Sequence, residues 1–127
     1  MIVADASACV LALLNDGEAR AALLAESVAI PHLADSEVAH ALRGQVLRES
    51  VAPDAAFTAL EHWSRLGLRR WPVTGLLGRI WSLRENLSAY DATYVALAEA
   101  LESRLLTADV RLAQAPGPTC AVTIVRR

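Results

Sequence analysis

Short apolar runs alternate along this chain with longer segments in which apolar residues recur at helical spacing. Turn-forming residues such as Asn15-Asp16-Gly17 separate the runs, and short apolar runs bounded by turns are typical of buried strands. The run at 68–73 is the weakest candidate, because two arginines and Pro72 interrupt it. The five predicted strands cover residues 2–4, 28–30, 68–73, 105–107 and 121–125.

The segments between these strands have the apolar spacing of amphipathic helices. Pro53 is well placed in the first turn of one of them, where its missing N–H is not needed. Strands that alternate with helices indicate βαβ units, so the sequence predicts an α/β fold with a central parallel sheet of about five strands. The predicted helices cover residues 6–14, 18–26, 34–49, 53–66, 76–87 and 88–103, and a shorter segment covers 110–113.

The length of 127 residues is typical of a single domain, which we expect to span residues 1–127. The hydrophobic fraction of 54% is above the ~45–50% that is usual for soluble proteins. However, the longest apolar run, residues 8–14, is too short to cross a membrane, and the amino terminus lacks the basic region of a signal peptide. We therefore expect a cytoplasmic protein without membrane association, in which Cys9 and Cys120 are buried free thiols.

The net charge of −2 gives the protein no overall basic field that would attract nucleic acid. All twelve basic residues are arginine. Arginine can grip phosphate with two hydrogen bonds, but a GC-rich genome produces the same bias, and the abundance of alanine favours that explanation. Trp63, Trp71 and Trp81 are predicted to anchor the core or an interface, because they form no cluster on which bases could stack.

Four acidic residues lie where the predicted elements would direct them toward one pocket. Asp5 and Asp109 follow two apolar strands, and Glu37 and Asp91 lie near the starts of two helices. Parallel sheets place functional groups beyond the carboxyl ends of their strands, so Asp5 and Asp109 would meet if their strands are neighbours. Clustered carboxylates repel one another, whereas hard cations such as Mg²⁺ prefer oxygen ligands. The pattern therefore indicates a metal-dependent hydrolase.

Each of these acids also has a purely structural explanation. Asp5 and Asp109 are suited to cap the helices that follow them, and Ser88-Ala-Tyr-Asp91 fits a capping box. Glu37 would interact favourably with the dipole of its helix. The common location of all four acids at one edge of the predicted fold favours a shared site.

Two neighbours of Glu37 need to be distinguished from it. Asp35 precedes the periodic run and is predicted to cap the helix, so Glu37 is preferred for the site. Glu37-Val-Ala-His40 resembles half of a carboxylate-bridged di-metal site, but such sites need two E-x-x-H pairs and this chain has one. His40 is therefore predicted to lie on the helix surface or to support the site indirectly. Hydrolase elbows, phosphate-binding loops and dinucleotide fingerprints are absent.

Four short segments around these acids occur in an order that spans nearly the whole chain. They are Ile2-Val-Ala-Asp5-Ala-Ser7, Pro31 through Glu37 to Leu42, Leu87-Ser-Ala-Tyr-Asp91-Ala and Leu105-Leu-Thr107-Ala-Asp109. No single segment is highly specific, but the ordered set is. With this set the chain resembles the PIN-domain family and, within it, the VapC-type toxins of bacterial toxin–antitoxin pairs.

The resemblance implies a three-layer α/β/α fold and a ribonuclease site that binds Mg²⁺ or Mn²⁺. Hydroxyl groups at the positions of Ser7 and Thr107 often support that site in the family. Many relatives carry asparagine at the position of His40, a departure that concerns the surroundings of the acids and not the acids themselves. The implied catalytic and metal-binding residues are Asp5, Glu37, Asp91 and Asp109.

The function that this resemblance implies is hydrolysis of RNA phosphodiester bonds by a metal-dependent endoribonuclease. The implied partners are an RNA substrate, a cognate VapB-type antitoxin and a second copy of the chain in a homodimer. A catalytically silent PIN-like module that binds a partner or RNA is the alternative, and a DNA nuclease or phosphatase is a third candidate. The presence of all four acids favours the enzyme.

Overall fold

The computed structural model describes residues 1–127 and contains one sheet of five parallel strands. The strand order is β3-β2-β1-β4-β5, so the chain begins in the middle of the sheet and extends it in both directions. Ile2 in β1 lies opposite Val28 in β2 and Arg104 in β4. The strands are β1 (Ile2–Ala4), β2 (Val28–Pro31), β3 (Arg69–Trp71), β4 (Arg104–Thr107) and β5 (Val122–Ile124).

Seven helices connect the strands. Crossovers between parallel strands are right-handed. The chain adds β2 and β3 on one side of β1 and then β4 and β5 on the other, so the early and the late helices lie on opposite faces of the sheet. This arrangement confirms the predicted α/β/α fold with a five-stranded parallel sheet. The helices are α1 (Ala6–Leu14), α2 (Glu18–Ala25), α3 (Leu33–Leu47), α4 (Pro53–Arg65), α5 (Leu77–Ser82), α6 (Ala89–Ala100) and α7 (Val110–Gln114).

The core lies around the central strands and α6. All residues of β1 and β2 are buried, because helices cover both faces of a parallel sheet. Helix α6 is buried along seven consecutive residues from Ala92 to Ala98, so its central turns have no face toward solvent. Trp63 joins the core, whereas Trp81 is 68% exposed. No helix has the length and apolar character needed to span a membrane.

Several predicted boundaries were wrong. Strand β3 is limited to Arg69–Trp71 and is exposed along its length, as expected of an edge strand that ends beside Pro72. The helix predicted over 76–87 ends at Ser82, because the following residues tighten into turns in which Asn86 N–H donates to Leu83 O.

Cys9 is a buried free thiol, as predicted, but the free thiol Cys120 is only partly buried.

Two long helices end earlier than predicted for one shared reason. Glu49 follows α3 with φ of 60°, and Glu102 follows α6 with φ of 51°. This left-handed conformation turns the chain out of the helix, and it is usually adopted by glycine. The N–H of Ser50 then donates to Gln45 O, and the N–H of Ser103 donates to Ala98 O. Without a glycine, the sequence gives no signal for these ends.

Candidate active site

Two of the predicted site acids follow neighbouring strands. Asp5 comes directly after β1, and its N–H donates to Leu106 O of β4 over 3.0 Å. Asp109 lies two residues beyond the end of β4. Because β1 and β4 are parallel partners at the position where the sheet changes direction, both acids stand at one end of the central crevice.

Asp5 is held by three hydrogen bonds and is only 5% exposed. The hydroxyl of Ser7 and the N–H of Ala8 donate to its Oδ1 over 2.6 and 2.9 Å. The hydroxyl of Thr107 donates to Oδ2 over 2.5 Å. Ser7 comes from α1 and Thr107 from β4, so the two hydroxyls predicted to support the site fix Asp5 from both sides.

The same two hydroxyls connect Asp5 to the segment that carries Asp109. The N–H of Ala108 donates to Ser7 Oγ over 2.9 Å, and the N–H of Asp109 donates to Thr107 Oγ1 over 3.0 Å. Ser7 Oγ and Thr107 Oγ1 are themselves 3.3 Å apart. This network joins the ends of β1 and β4 and sets the relative position of the two carboxylates.

The other two acids come from α3 and α6. Glu37 is half-buried, and its Oε1 accepts a hydrogen bond of 2.7 Å from the hydroxyl of Tyr94. Asp91 lies in the first turn of α6, one turn before Tyr94, so both lie on related faces of that helix. Tyr94 is 1% exposed. Our reading of the sequence did not identify it, although its spacing of three residues from Asp91 was an available signal.

The pKa values of three of these acids are raised, in part by the negative charges of the others. Burial raises the pKa of Asp5 above its usual value, and the negative charge of Asp109 adds to the shift. Burial also raises the pKa of Glu37, to which the charges of Asp91 and Asp5 contribute. The pKa of Asp91 is raised by burial and then by the charges of Asp5 and Asp109. The four carboxylates therefore repel one another across the crevice.

Little positive charge offsets this repulsion. Arg111 Nε lies 3.5 Å from Asp109 Oδ1, but the arginine side chain is 92% exposed. No group of three or more His, Cys, Asp or Glu side chains lies close enough together in this structure to hold a metal ion. An all-oxygen donor set of this kind fits a hard cation that keeps several water ligands, as Mg²⁺ does when one or two carboxylates bind it.

The helix-capping roles predicted for these acids are partly confirmed. The carboxylate of Asp5 caps α1, and Asp109 caps α7 by accepting from Arg111 N–H over 2.9 Å. Ser88 Oγ accepts from the N–H of Asp91 over 3.1 Å, which is one side of the predicted capping box. Capping uses one carboxylate oxygen of Asp5 and one of Asp109, so it is compatible with a second task for either acid.

The prediction that Asp35 caps α3 was wrong. The helix already begins at Leu33, and Asp35 lies inside its first turn. Its carboxylate accepts two hydrogen bonds of 2.9 Å from Arg70 and one of 2.7 Å from Trp63 Nε1. Arg70 therefore holds the pKa of Asp35 below its usual value. Asp35 ties α3 to α4 and β3.

His40 is exposed on α3, one turn beyond Glu37. Its proximity lowers the pKa of Glu37, although by less than burial raises it. This position agrees with the prediction of a surface residue near the site.

Comparisons with known proteins give one consistent family. The family model described as PIN domain matches residues 2–118. Ribonuclease VapC9 of Mycobacterium tuberculosis is 52% identical over 127 residues, which is 100% of both chains. The crystal structure of PAE2754 from Pyrobaculum aerophilum has a TM-score of 0.70 and 27% identity, covering 95% of this chain and 81% of that chain.

A chain from a toxin–antitoxin complex of Klebsiella pneumoniae has the same fold. Its TM-score is 0.64 at 21% identity, and the match covers 97% of this chain and 96% of that chain. The family match extends from β1 to beyond α7, and it includes all the segments on which the resemblance in the sequence rests. This chain belongs to the PIN-domain family and, within it, to the VapC group.

Proposed function

We propose that this protein is a Mg²⁺- or Mn²⁺-dependent endoribonuclease that acts as the toxin of a toxin–antitoxin pair. The observation that carries the proposal is the placement of Asp5, Glu37, Asp91 and Asp109 at the carboxyl end of the central strands, where hydrogen bonds from Ser7, Thr107 and Tyr94 hold two of them. Four acids held together against their own repulsion are suited to a divalent cation. The ribonuclease name of a relative 52% identical over its full length supports RNA as the substrate.

Asp5, Asp91 and Asp109 are proposed to bind the cation directly or through water. A bound divalent cation supplies a nucleophilic water at neutral pH and stabilises negative charge on the phosphodiester in the transition state. Ser7 and Thr107 hold the carboxylate of Asp5 in one orientation, so its ligand geometry is set before the cation arrives. Orientation of this kind lowers the entropy lost on binding.

Glu37 is proposed to orient the attacking water and to accept its proton. Tyr94 occupies Oε1, whereas no protein group donates a hydrogen bond to Oε2. That second oxygen is therefore available to water or to the cation. The raised pKa of Glu37 makes its carboxylate a stronger base than an exposed glutamate, and general bases work best when their pKa approaches the operating pH.

The direct test is incubation of the purified chain with structured RNA and Mn²⁺, with and without EDTA. Cleavage that requires the cation supports the proposal. RNA binding without cleavage in Mn²⁺ would instead indicate the catalytically silent module. Parallel assays on DNA and on a generic phosphate ester separate a ribonuclease from a DNA nuclease or a phosphatase.

The proposed antitoxin site is an apolar groove between α1, α2 and α4. The groove has a volume of about 520 Å³, and its walls include Leu13, Leu23, Trp63 and Leu66. Leu24 also lines it and is 78% exposed, so it adds to the exposed apolar surface of the groove. We assign the groove to an apolar helical segment of a VapB-type antitoxin, since the fold of this chain matches one from a toxin–antitoxin complex.

Co-expression with the cognate antitoxin should raise the yield of soluble protein and suppress RNA cleavage. A basic antitoxin side chain that reached the site acids would compete with the cation, because it neutralises the same negative charge. Equal solubility and equal activity with and without the antitoxin would contradict this assignment while leaving the nuclease proposal intact.

The homodimer is proposed to form through α5. Leu77 and Trp81 lie one turn apart on this helix and are 55% and 68% exposed. Apolar side chains exposed together on a surface usually mark an interaction site. A Trp81→Ser variant should shift the chain from dimer to monomer in light scattering, and a monomeric wild-type chain would contradict the proposal.

A further inference from the structure

A second groove begins beside the site acids and runs away from them between α1 and α3. Its volume is about 720 Å³, and the segment at 50–55 leading into α4 closes its far side. Ser7 and Ala108 line it. Ser7 donates to the carboxylate of Asp5, and Ala108 donates to Ser7, so these two residues connect the groove to the site.

One face of α3 follows this groove. Glu37, His40, Gly44 and Arg48 are separated by three, four and four residues, a spacing that places them on a single face of a helix. Glu37 belongs to the site, and the other three line the groove. Glu37 and Arg48 are eleven positions apart, which corresponds to about 16 Å along a helix that rises about 1.5 Å per residue. Stacked nucleotides rise by about 3.4 Å each, so this length spans roughly five of them, or fewer in an extended strand.

Arg48 at the far end of this face is free to bind an anion. Its side chain is exposed, and no carboxylate lies within salt-bridge distance, in contrast to Arg70 and Arg79, whose guanidinium groups pair with acids. A Cβ at Gly44 would lie 3.1 Å from Arg48 Nη1. The glycine therefore leaves the space in which the guanidinium folds back over α3 toward the groove.

Polar side chains between the two ends suit a nucleic acid better than an apolar peptide. Asn15, His40, Gln45 and Ser50 line the groove. Asn15 and Ser50 already donate to backbone carbonyls, whereas the side chains of His40 and Gln45 are free to reach ribose hydroxyls, phosphates or base edges. An overall charge of −2 and four clustered acids repel an RNA strand. A local cation is needed to hold a phosphate near such a site, and arginine binds phosphate with two parallel hydrogen bonds.

We propose that this groove holds the RNA strand on one side of the scissile bond. The guanidinium of Arg48, which folds back over Gly44, binds a backbone phosphate about 10 Å along α3 from Glu37. The inference rests on the proposed ribonuclease function and extends it by assigning the path of the substrate. Arg48 is a substrate-positioning residue in this assignment, because it lies too far from the acids to touch the reacting phosphate.

The test compares Arg48→Ala with Arg43→Ala, a matched control. Arg43 is exposed on the same helix and has no acidic partner, but it does not line the groove. Loss of one phosphate contact should raise the KM for RNA about tenfold at low salt and leave kcat within about twofold. In EDTA, where cleavage is suppressed, the slope of log binding constant against log salt should fall by about 0.7 for Arg48→Ala and stay unchanged for Arg43→Ala.

Gly44→Leu provides a second variant that keeps Arg48. Leucine favours a helix more than glycine does, so the variant should fold at least as stably as the wild-type chain. Its side chain would displace the guanidinium and fill the groove, and it should raise KM as Arg48→Ala does. A normal KM in Gly44→Leu, with the same thermal stability as the wild type, would contradict the assignment.

The outcomes distinguish a failure of the groove assignment from a failure of the proposed nuclease function. If the wild-type chain cleaves RNA and the two arginine variants have equal KM values and salt slopes, the groove assignment is wrong and the nuclease stands. If the chain binds RNA through Arg48 but does not cleave it, the groove assignment stands and the nuclease is wrong. If Arg48→Ala loses the antitoxin while its KM for RNA is unchanged, the groove binds protein, and the assignment to RNA is overturned.

Discussion

The hydrogen bond from Tyr94 to Glu37 can be removed with very little other change. Tyr94 is 1% exposed, and its hydroxyl lies 2.7 Å from Glu37 Oε1. A Tyr94→Phe substitution keeps the ring and its packing, so the variant measures the loss of one hydroxyl. We expect lower stability and lower RNA cleavage, with unchanged specificity.

The magnitude follows from the surroundings of the two groups. A hydrogen bond to a charged acceptor contributes roughly 1.5–3 kcal/mol to stability. Glu37 is half-buried, and water can partly replace the lost donor, so we expect a loss of about 1–2 kcal/mol in the free energy of unfolding. A general base contributes roughly 10²–10⁴-fold to the rate, so loss of the group that orients Glu37, with Glu37 itself retained, should lower cleavage by about 10–100-fold.

Urea denaturation of the two single variants and of the combined variant measures the interaction itself. In a double-mutant cycle, Tyr94→Phe and Glu37→Ala should be coupled by about 1–2 kcal/mol, since each removes the same contact. Additive effects, together with wild-type cleavage by Tyr94→Phe, would refute the reasoning that Tyr94 fixes Glu37 for function.

Three further predictions concern other parts of the protein. Saturating Mn²⁺ should raise the melting temperature by several degrees, because a ligand of the native state stabilises it, and the rise should shrink in an Asp91→Asn, Asp109→Asn double variant. Arg79 and backbone and hydroxyl donors lower the pKa of Glu99 to about 2. This carboxylate therefore stabilises the fold at pH values above about 4.5, which is the pKa of glutamate in the unfolded chain. The stabilisation is lost as the pH falls toward 2. Glu99→Gln should lose roughly 1–3 kcal/mol at pH 7 in urea denaturation, and the difference from wild type should disappear near pH 2. Leu24→Arg should abolish co-purification with the antitoxin in a pull-down and leave RNA cleavage unchanged, since Leu24 lies in the apolar groove.

The features that could be predicted from sequence depend on local pattern. Asp5 and Asp109 were located because each follows an apolar strand, and the carboxyl ends of parallel strands share one edge of a sheet. Ser7 and Thr107 were expected to support the site because of the resemblance to the PIN-domain family. The hydrogen bonds that link these four residues confirm that the two strand ends meet.

The features that could not be predicted depend on contacts between distant segments. The hydroxyl of Tyr94 contacts Glu37 across 57 positions of sequence, and only the tertiary fold brings these residues of α6 and α3 together. Asp35 was predicted to cap α3, because the local sequence pattern does not indicate its distant partners Trp63 and Arg70. The Arg48 groove likewise depends on the packing of α1 against α3.

Cleavage of RNA by the wild-type chain and by Asp5→Asn, compared side by side in Mn²⁺, shows whether the clustered carboxylates carry out catalysis. Asparagine keeps the size of the side chain and its ability to cap α1, but it removes one negative charge from the site. It also relieves repulsion among the buried acids, so the variant should remain folded and at least as stable as the apo wild type.

We expect metal-dependent cleavage by the wild type and none by Asp5→Asn. Asp35→Asn should retain most of the activity, since Asp35 pairs with Arg70 away from the site. Full cleavage by a pure, folded Asp5→Asn preparation would contradict the assignment of these carboxylates to catalysis.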